Sequence, residues 1–263
     1  MIKIENVVLP SLAQWEAVIR GMRNPMNSWE KSDSFIPCYN KTKCHECKDN
    51  QHCAYYFEDG EPYKKNEFIG SNDLDLMTRL RNAGIDHRKF MRMIIVYMDI
   101  IAPLYWWKEF DTYKVGTVAN SCSTMHKIAE KEFTLEDFSH EHLIAREKPL
   151  IEYIDGEDAV ELPNAIWLIH RTIQTLNQYR NLYLQTKDKK YWWQMIQLLP
   201  SSYNQKRTIM LNYEVLTNMY KSRKNHKLDE WHTFCQWIET LPYSELITEV
   251  ANWKITEIMN IKK

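Results

Sequence analysis

The spacing of hydrophobic positions changes twice along the chain and divides it into three stretches. At the N-terminus, residues 2–9 (IKIENVVL) have the makings of a short strand, and Trp15, Ile19 and Met22 then recur at helical spacing, which predicts a helix over Ala13–Arg23. From Asn24 to Gly70 the periodicity lapses. Pro25, Pro37, Gly60 and Pro62 punctuate a mostly polar run, so a long irregular segment is expected there, of the kind that is usually functional or metal-bound. Periodicity resumes with Leu74, Met77, Leu80 and Arg81, and Gly84 supplies a helix stop. The apolar run from His87 to Ile101, with β-branched Ile94, Ile95 and Val96, predicts a buried strand over at least Met93–Ile100, and Pro103 suits the first turn of a following helix.

The C-terminal half reads as helices. Ile166, Ile169, Ile173, Leu176 and Tyr183 follow three–four spacing over one long segment, and Lys189–Leu199, Arg207–Ser222, Leu228–Thr240 and Tyr243–Met259 are further helical candidates. No repeat and no low-complexity tract interrupts them. The pattern is that of an α+β fold with helices in the majority, a single domain over 1–263 with residues 24–70 as an inserted Cys-rich loop.

Composition narrows the class. Hydrophobic residues make up 44% of the 263, enough for a substantial core, and only six glycines argue against a β protein built on tight turns. The net charge of −1 gives no global field to recruit nucleic acid or an anionic membrane. No run of about 18 apolar residues marks a transmembrane helix, and MIKIENVVLP is too polar for a signal peptide. A cytoplasmic protein with reduced cysteines is the expectation.

Cys38, Cys44, Cys47 and Cys53 are spaced C-x5-C-x2-C-x5-C, with His45 and His52 between them. Four soft ligands within so short an irregular segment can wrap a tetrahedral metal, and such a segment gains most from a staple. Structural zinc, unligated thiols and an iron–sulfur cluster all remain open on the spacing alone. A closed four-thiolate site would leave no position for catalysis. Cys235, on an apolar helix face, reads as core packing.

The densest chemistry lies in Pro103–His126, PLYWWKEFDTYKVGTVANSCSTMH, where large aromatics alternate with Lys, Glu, Asp, Cys and small hydroxyls. From Asp86 to Trp231 the order of motifs resembles the flavin-dependent thymidylate synthases. Asp86-His87-Arg88-Lys89-Phe90 stands in the element before the strand. Lys108-Glu109-Phe110 is similar to that family's Arg-Gln-aromatic, and Thr112-Tyr113-Lys114 occupies the place of its Arg-His-Arg. Asn120-Ser121-Cys122-Ser123 lies where Asn-Glu-x-Ser belongs, Leu199-Pro200 matches a Leu-Pro, and Asn212 and Arg223 match a helical Asn and the Arg that follows it. If one helix runs through both, their eleven-residue separation is close to three turns and puts them on one face.

The resemblance implies a small antiparallel sheet packed with helices, and a homo-oligomer (in that family a homotetramer) with sites between subunits. It implies FAD as cofactor and a pyrimidine nucleotide such as dUMP as the small-molecule partner, methylated or otherwise modified with reduced flavin. Arg223, Lys114 and Ser123 would be the catalytic set, and His87, Lys108, Tyr113 and Asn212 the cofactor-binding set. The other class of reading is a non-catalytic oligomeric module on the same fold with a zinc loop.

Plainer roles stand beside these. Tyr105, Trp106 and Trp107 suit core or interface packing as well as a stacking surface. Lys108, Glu109 and Lys114 suit a solvated face, and Arg223 suits a salt bridge to Glu230. Ser121-Cys122-Ser123 suits a polar turn, since a nucleophilic Cys122 would need a base such as His126. The segment from Gly21 to Ser34 suits either an active-site lid or a capped turn.

Overall fold

A computed structural model of the chain describes residues 2–34, 68–145, 150–152, 160–162 and 164–248. Along the described chain run β1 (Lys3–Val8), α1 (Leu12–Arg23), α2 (Ser71–Asn82), β2 (Ile95–Pro103), α3 (Leu104–Phe110), β3 (Val118–Ser121) and α4 (Thr124–Lys127). Then come β4 (Leu150–Glu152), β5 (Val160–Leu162), α5 (Ala165–Thr186), α6 (Lys189–Leu198), β6 (Asn204–Asn212), α7 (Tyr213–Arg223), α8 (Asp229–Glu239) and α9 (Glu245–Thr248). The fold is α+β, with a small antiparallel sheet in the order β1-β2-β6-β3, and β4 and β5 pair separately as an antiparallel ribbon with Ile151 opposite Glu161. No helix among the described residues is long and apolar enough to cross a membrane.

Most predicted elements are present, with two corrections. The first concerns β2. Arg88–Met93 forms 3-10 turns and the strand begins at Ile95, and it is covered on one side only. Val96, Met98, Ile100 and Ala102 are buried, whereas Tyr97 is 43% exposed. Ile95 and Ile101 point to the less covered side, so outward apolar residues hide the period of two. The second concerns Arg207–Asn212, predicted as helix. These residues complete β6, and helix begins only at Tyr213.

Contacts divide the chain into two compact units. One comprises Met1–Asn6, Met98–Lys114 and Ala119–Ile209, and the other Val7–Tyr97, Val115–Val118 and Met210–Lys263. In the first, α5 packs along α6. Asn164 caps α5 by accepting from the Trp167 N–H at 3.2 Å, and Ile169, Ile173 and Leu176 face a core that includes Phe133, Phe138 and Met195. Short α3 contributes Trp106, Trp107 and Phe110, all at most 1% exposed. The Trp107 indole donates to the Gln205 carbonyl at 2.9 Å, and the Arg207 guanidinium lies 4.3 Å from its ring centre. The plain reading of the tryptophan pair, core packing, describes both.

In the second unit a 3-10 segment, α1, α2, α7, α8 and α9 pack around Trp15, Met77, Leu216, Met219 and Trp231. A buried ion pair joins Arg23 to Asp73 at 2.6 Å, with the Asp73 side chain fully covered. Such a pair is tolerable only when the remaining lone pairs are met. Ser32 and Ser34 donate to Asp73 at 2.7 and 2.6 Å, and Arg23 also donates to the Ser28 and Lys31 carbonyls. Burial pushes the Asp73 carboxyl up, but the bonds from Ser34, Ser32 and Arg23 outweigh it and hold it below the usual range. Asp33 accepts from the Asn72 and Asp73 N–H groups at the start of α2. The Gly21–Ser34 segment is the last turn of α1 followed by two 3-10 turns, Asn24–Met26 and Trp29–Lys31.

Trp107→Ala should lower unfolding stability by about 3–5 kcal/mol, as large aromatic truncations in cores do, while Lys108→Ala, on the exposed side of α3, should stay within about 0.5 kcal/mol. Urea denaturation of the two variants checks the contrast.

Candidate functional site

The first unit holds a cavity of about 340 Å³ that gathers residues from six separate stretches of chain. Its size lies in the range of small-molecule sites. One wall is the turn after β3 set against the start of β6. The Cys122 N–H donates to the Lys206 carbonyl at 2.9 Å, and the Gln205 side-chain amide donates to the Cys122 carbonyl at 3.1 Å and to the Thr124 hydroxyl at 3.0 Å. Ser123 caps α4 by accepting from the His126 N–H at 3.2 Å. The rest of the lining is Lys3, Ile101, Lys131, Glu136, Asp137, Tyr203 and Asn204.

Charge in the cavity is held in pairs. Lys131 bonds Asp137, which also accepts from the Thr134 N–H at 2.9 Å. Lys206 donates to Asp99 at 2.9 Å and lies 3.8 Å from Glu5. Asp99 further accepts from Thr208 at 2.6 Å and from Asn6 at 2.9 Å. Those bonds, Thr208 first, bring the Asp99 carboxyl down to about 2, and the bond to Asp99 raises Lys206. Lys3 makes no ion pair among the described residues. The remaining charged residues of the lining are Lys3 and Glu136. Burial, then the neighbouring Asp137 and Cys122, raise the Tyr203 phenol.

Of the residues proposed from sequence, Ser123 lines this cavity, and so does the weaker candidate Cys122. Lys108, Tyr113 and Lys114 belong to the same unit but not to its lining; both lysines are exposed and Tyr113 is half-buried. His87, Asn212 and Arg223 belong to the other unit. Asn212 is the N-cap of α7, not a residue within it. Its carbonyl oxygen accepts from the Val215 N–H at 3.0 Å, and its amide reaches the Gly116 carbonyl at 3.5 Å. A Cβ on Gly116, whose φ is +81°, would stand 2.8 Å from that amide nitrogen, so the turn requires glycine. Arg223 ends the same helix, roughly 16 Å further on, with its guanidinium 4.9 Å from the Trp231 ring centre. His87 is exposed, and the arginines after it serve Glu214: Arg88 donates at 3.2 Å and Arg92 also bonds it. Burial pushes the Glu214 carboxyl up, and the two arginines together pull it below the usual range.

Cys38, Cys44, Cys47 and Cys53 lie outside the described residues. Among the described ones, no group of three or more His, Cys, Asp or Glu is placed to hold a metal ion. Cys235 is buried and its thiol is pushed up to about 11 by desolvation, as core packing requires.

Sequence reasoning missed Lys3, Asp99, Tyr203, Gln205 and Lys206. Reading Lys206 to Thr208 as one strand, instead of starting a helix at Arg207, would have exposed the signal, because it sets Lys206 and Thr208 on one side of β6.

The Asp99 cluster carries a pH signature. Its folded-state value lies below the ordinary 3.8, so its stabilisation is complete above the unfolded value and is lost as pH falls through about 2. Asp99→Asn should be less stable than the parent at neutral pH. In urea melts that gap should begin to close below about pH 4 and be nearly gone at about pH 2.

No protein-family model matches the sequence, and no curated protein matches it. Solved structures do. Thymidylate synthase X from Helicobacter pylori with FAD and dUMP superposes with a TM-score of 0.52 at 14% identity, covering 94% of this chain and 96% of that one. The UMP/dUMP methylase PolB from Streptomyces cacaoi, bound with 5-Br dUMP, gives 0.55 at 12% identity over 94% and 95%. Its complex with 5-Br UMP gives 0.54 at 13%, over 94% of each chain. The chain has the fold of the flavin-dependent thymidylate synthases.

Proposed function

We propose that the protein binds a pyrimidine nucleotide in the Ser123 cavity and methylates or otherwise modifies it with reduced flavin. The observation that carries the reading is the cavity itself. It is a site of mononucleotide scale, with Lys3, Lys206 and Ser123 on its wall, in a fold whose solved examples hold dUMP or bromo-substituted UMP and dUMP. Lys206 takes the phosphate as a point charge, kept in place by Asp99. Ser123 has its oxygen engaged in the cap and its proton free to donate to the ligand.

Flavin would supply the electrons. Lys108, Lys114, His87 and Tyr113 are the residues proposed to bind it, whereas Asn212 is engaged in its cap and Arg88 and Arg92 with Glu214. Arg223 remains a proposed phosphate contact. A homo-oligomer belongs to the same reading, with subunits completing the flavin site.

One observation favours a second reading, a non-catalytic nucleotide-binding module: Thr112-Tyr113-Lys114 carries one cation where the resemblance places two arginines. Flavin uptake separates the two. The enzyme should purify with, or take up, a flavin whose absorbance responds to added dUMP; a colourless protein that takes up none supports the module. In either case dUMP should raise the melting temperature. Lys206→Met should weaken dUMP binding about 10- to 100-fold, the loss expected for a charge-assisted contact, and leave uridine binding nearly unchanged. Equal loss for both ligands would remove Lys206 from the phosphate site.

Cys38, Cys44, Cys47 and Cys53 are proposed to hold one structural zinc. Metal analysis should find one equivalent in the parent and less in Cys44→Ser; no metal in the parent rejects the staple.

A further inference from the structure

Every cation on the cavity wall except Lys3 already faces a carboxylate, and the Gln205 amide is spent on Cys122 and Thr124. Tyr203 is different. Its backbone N–H donates to the Pro200 carbonyl at 3.0 Å, and its own carbonyl accepts from Leu104 at 3.0 Å. It forms a β-bridge with Phe138. Its ring meets Phe138 edge-on at 5.7 Å between centres and Phe133 at 6.3 Å. Backbone and ring are thus fixed. The hydroxyl makes no hydrogen bond among the described residues and is not sealed from solvent, and its nearest charged or titratable neighbours, Asp137 and Cys122, both line the cavity.

We infer that Tyr203 is the base-reading residue of the cavity: its phenol donates a hydrogen bond to a ring carbonyl of the bound pyrimidine. The inference rests on the nucleotide reading above. It adds a named contact at the base end, where Lys206 and Lys3 serve the phosphate end. Tyr203 and Lys206 both line the cavity, so one can serve a base while the other serves a phosphate. An oxo-pyrimidine presents acceptors to such a donor. A tyrosine held by two phenylalanines loses little freedom on binding, so the contact is pre-organised. Burial and the Asp137 carboxylate keep the phenol protonated, so it remains a donor through the neutral range.

Tyr203→Phe removes the hydroxyl and keeps the ring packing. Calorimetric titration with dUMP, on the full chain, should show binding about 5- to 30-fold weaker than the parent, as loss of one neutral hydrogen bond predicts. The melting temperature of the ligand-free protein should be nearly unchanged. The penalty should be constant from about pH 6 to pH 9, since the phenol does not titrate there. Titration with 2-thio- and 4-thio-dUMP closes the cycle, because a thiocarbonyl accepts poorly. One analogue should bind the parent more weakly than dUMP does, yet match dUMP on Tyr203→Phe. Should Tyr203→Phe bind dUMP as the parent does, or neither analogue couple to the substitution, the assignment is overturned while the nucleotide reading stands. Failure of the parent to bind either dUMP or UMP overturns both.

Discussion

One side-chain cap decides how the middle of this chain is read. Asn212 turns its carbonyl oxygen onto the Val215 N–H, and there extended chain becomes helix. Everything before it, back to Asn204, is strand, and a strand alternates its side chains. Lys206 and Thr208 therefore stand together beside Asp99, and odd-numbered Arg207 turns toward Trp107. Had the helix begun at Arg207, as hydrophobic spacing alone predicts, that alternation would be lost and Asp99 would lose two of its three donors.

The site is built of satisfied charges rather than free ones. Asp99 and Asp137 each accept from two or more donors. This is the physical condition for ionised groups in partly buried places. Its consequence is that Lys131 and Lys206 are fixed in position before any ligand arrives. The same condition governs Arg23 and Asp73, where three serines and two backbone carbonyls complete the shell of the buried pair.

Helices with a clear stripe were legible in the sequence. The 169-173-176 face of α5 and the 15-19-22 face of α1 are where their spacing puts them. The order of motifs had singled out Ser123, which lines the cavity. Two kinds of information were not legible. Short strands with apolar residues on both sides, as in β2, show no alternation. The last third of β6, Ile209-Met210-Leu211, is equally compatible with a helix face until the cap is known. And a cavity lined by residues 3, 101, 122–124, 131, 136–137 and 203–206 leaves no local pattern, because only the fold brings those stretches together. Lys108 and Lys114, chosen for their place among aromatics, lie on exposed surface, while Phe110 between them turns inward as core.

The central claim is that the Ser123 cavity is the nucleotide site, and a crystal structure of the protein with 5-bromo-dUMP tests it most directly, since bromine marks the base unambiguously in anomalous density. The account predicts the phosphate beside Lys206 and Lys3 and the bromine within the cavity walled by Ser123 and Tyr203. Nucleotide bound elsewhere with the cavity empty would contradict it.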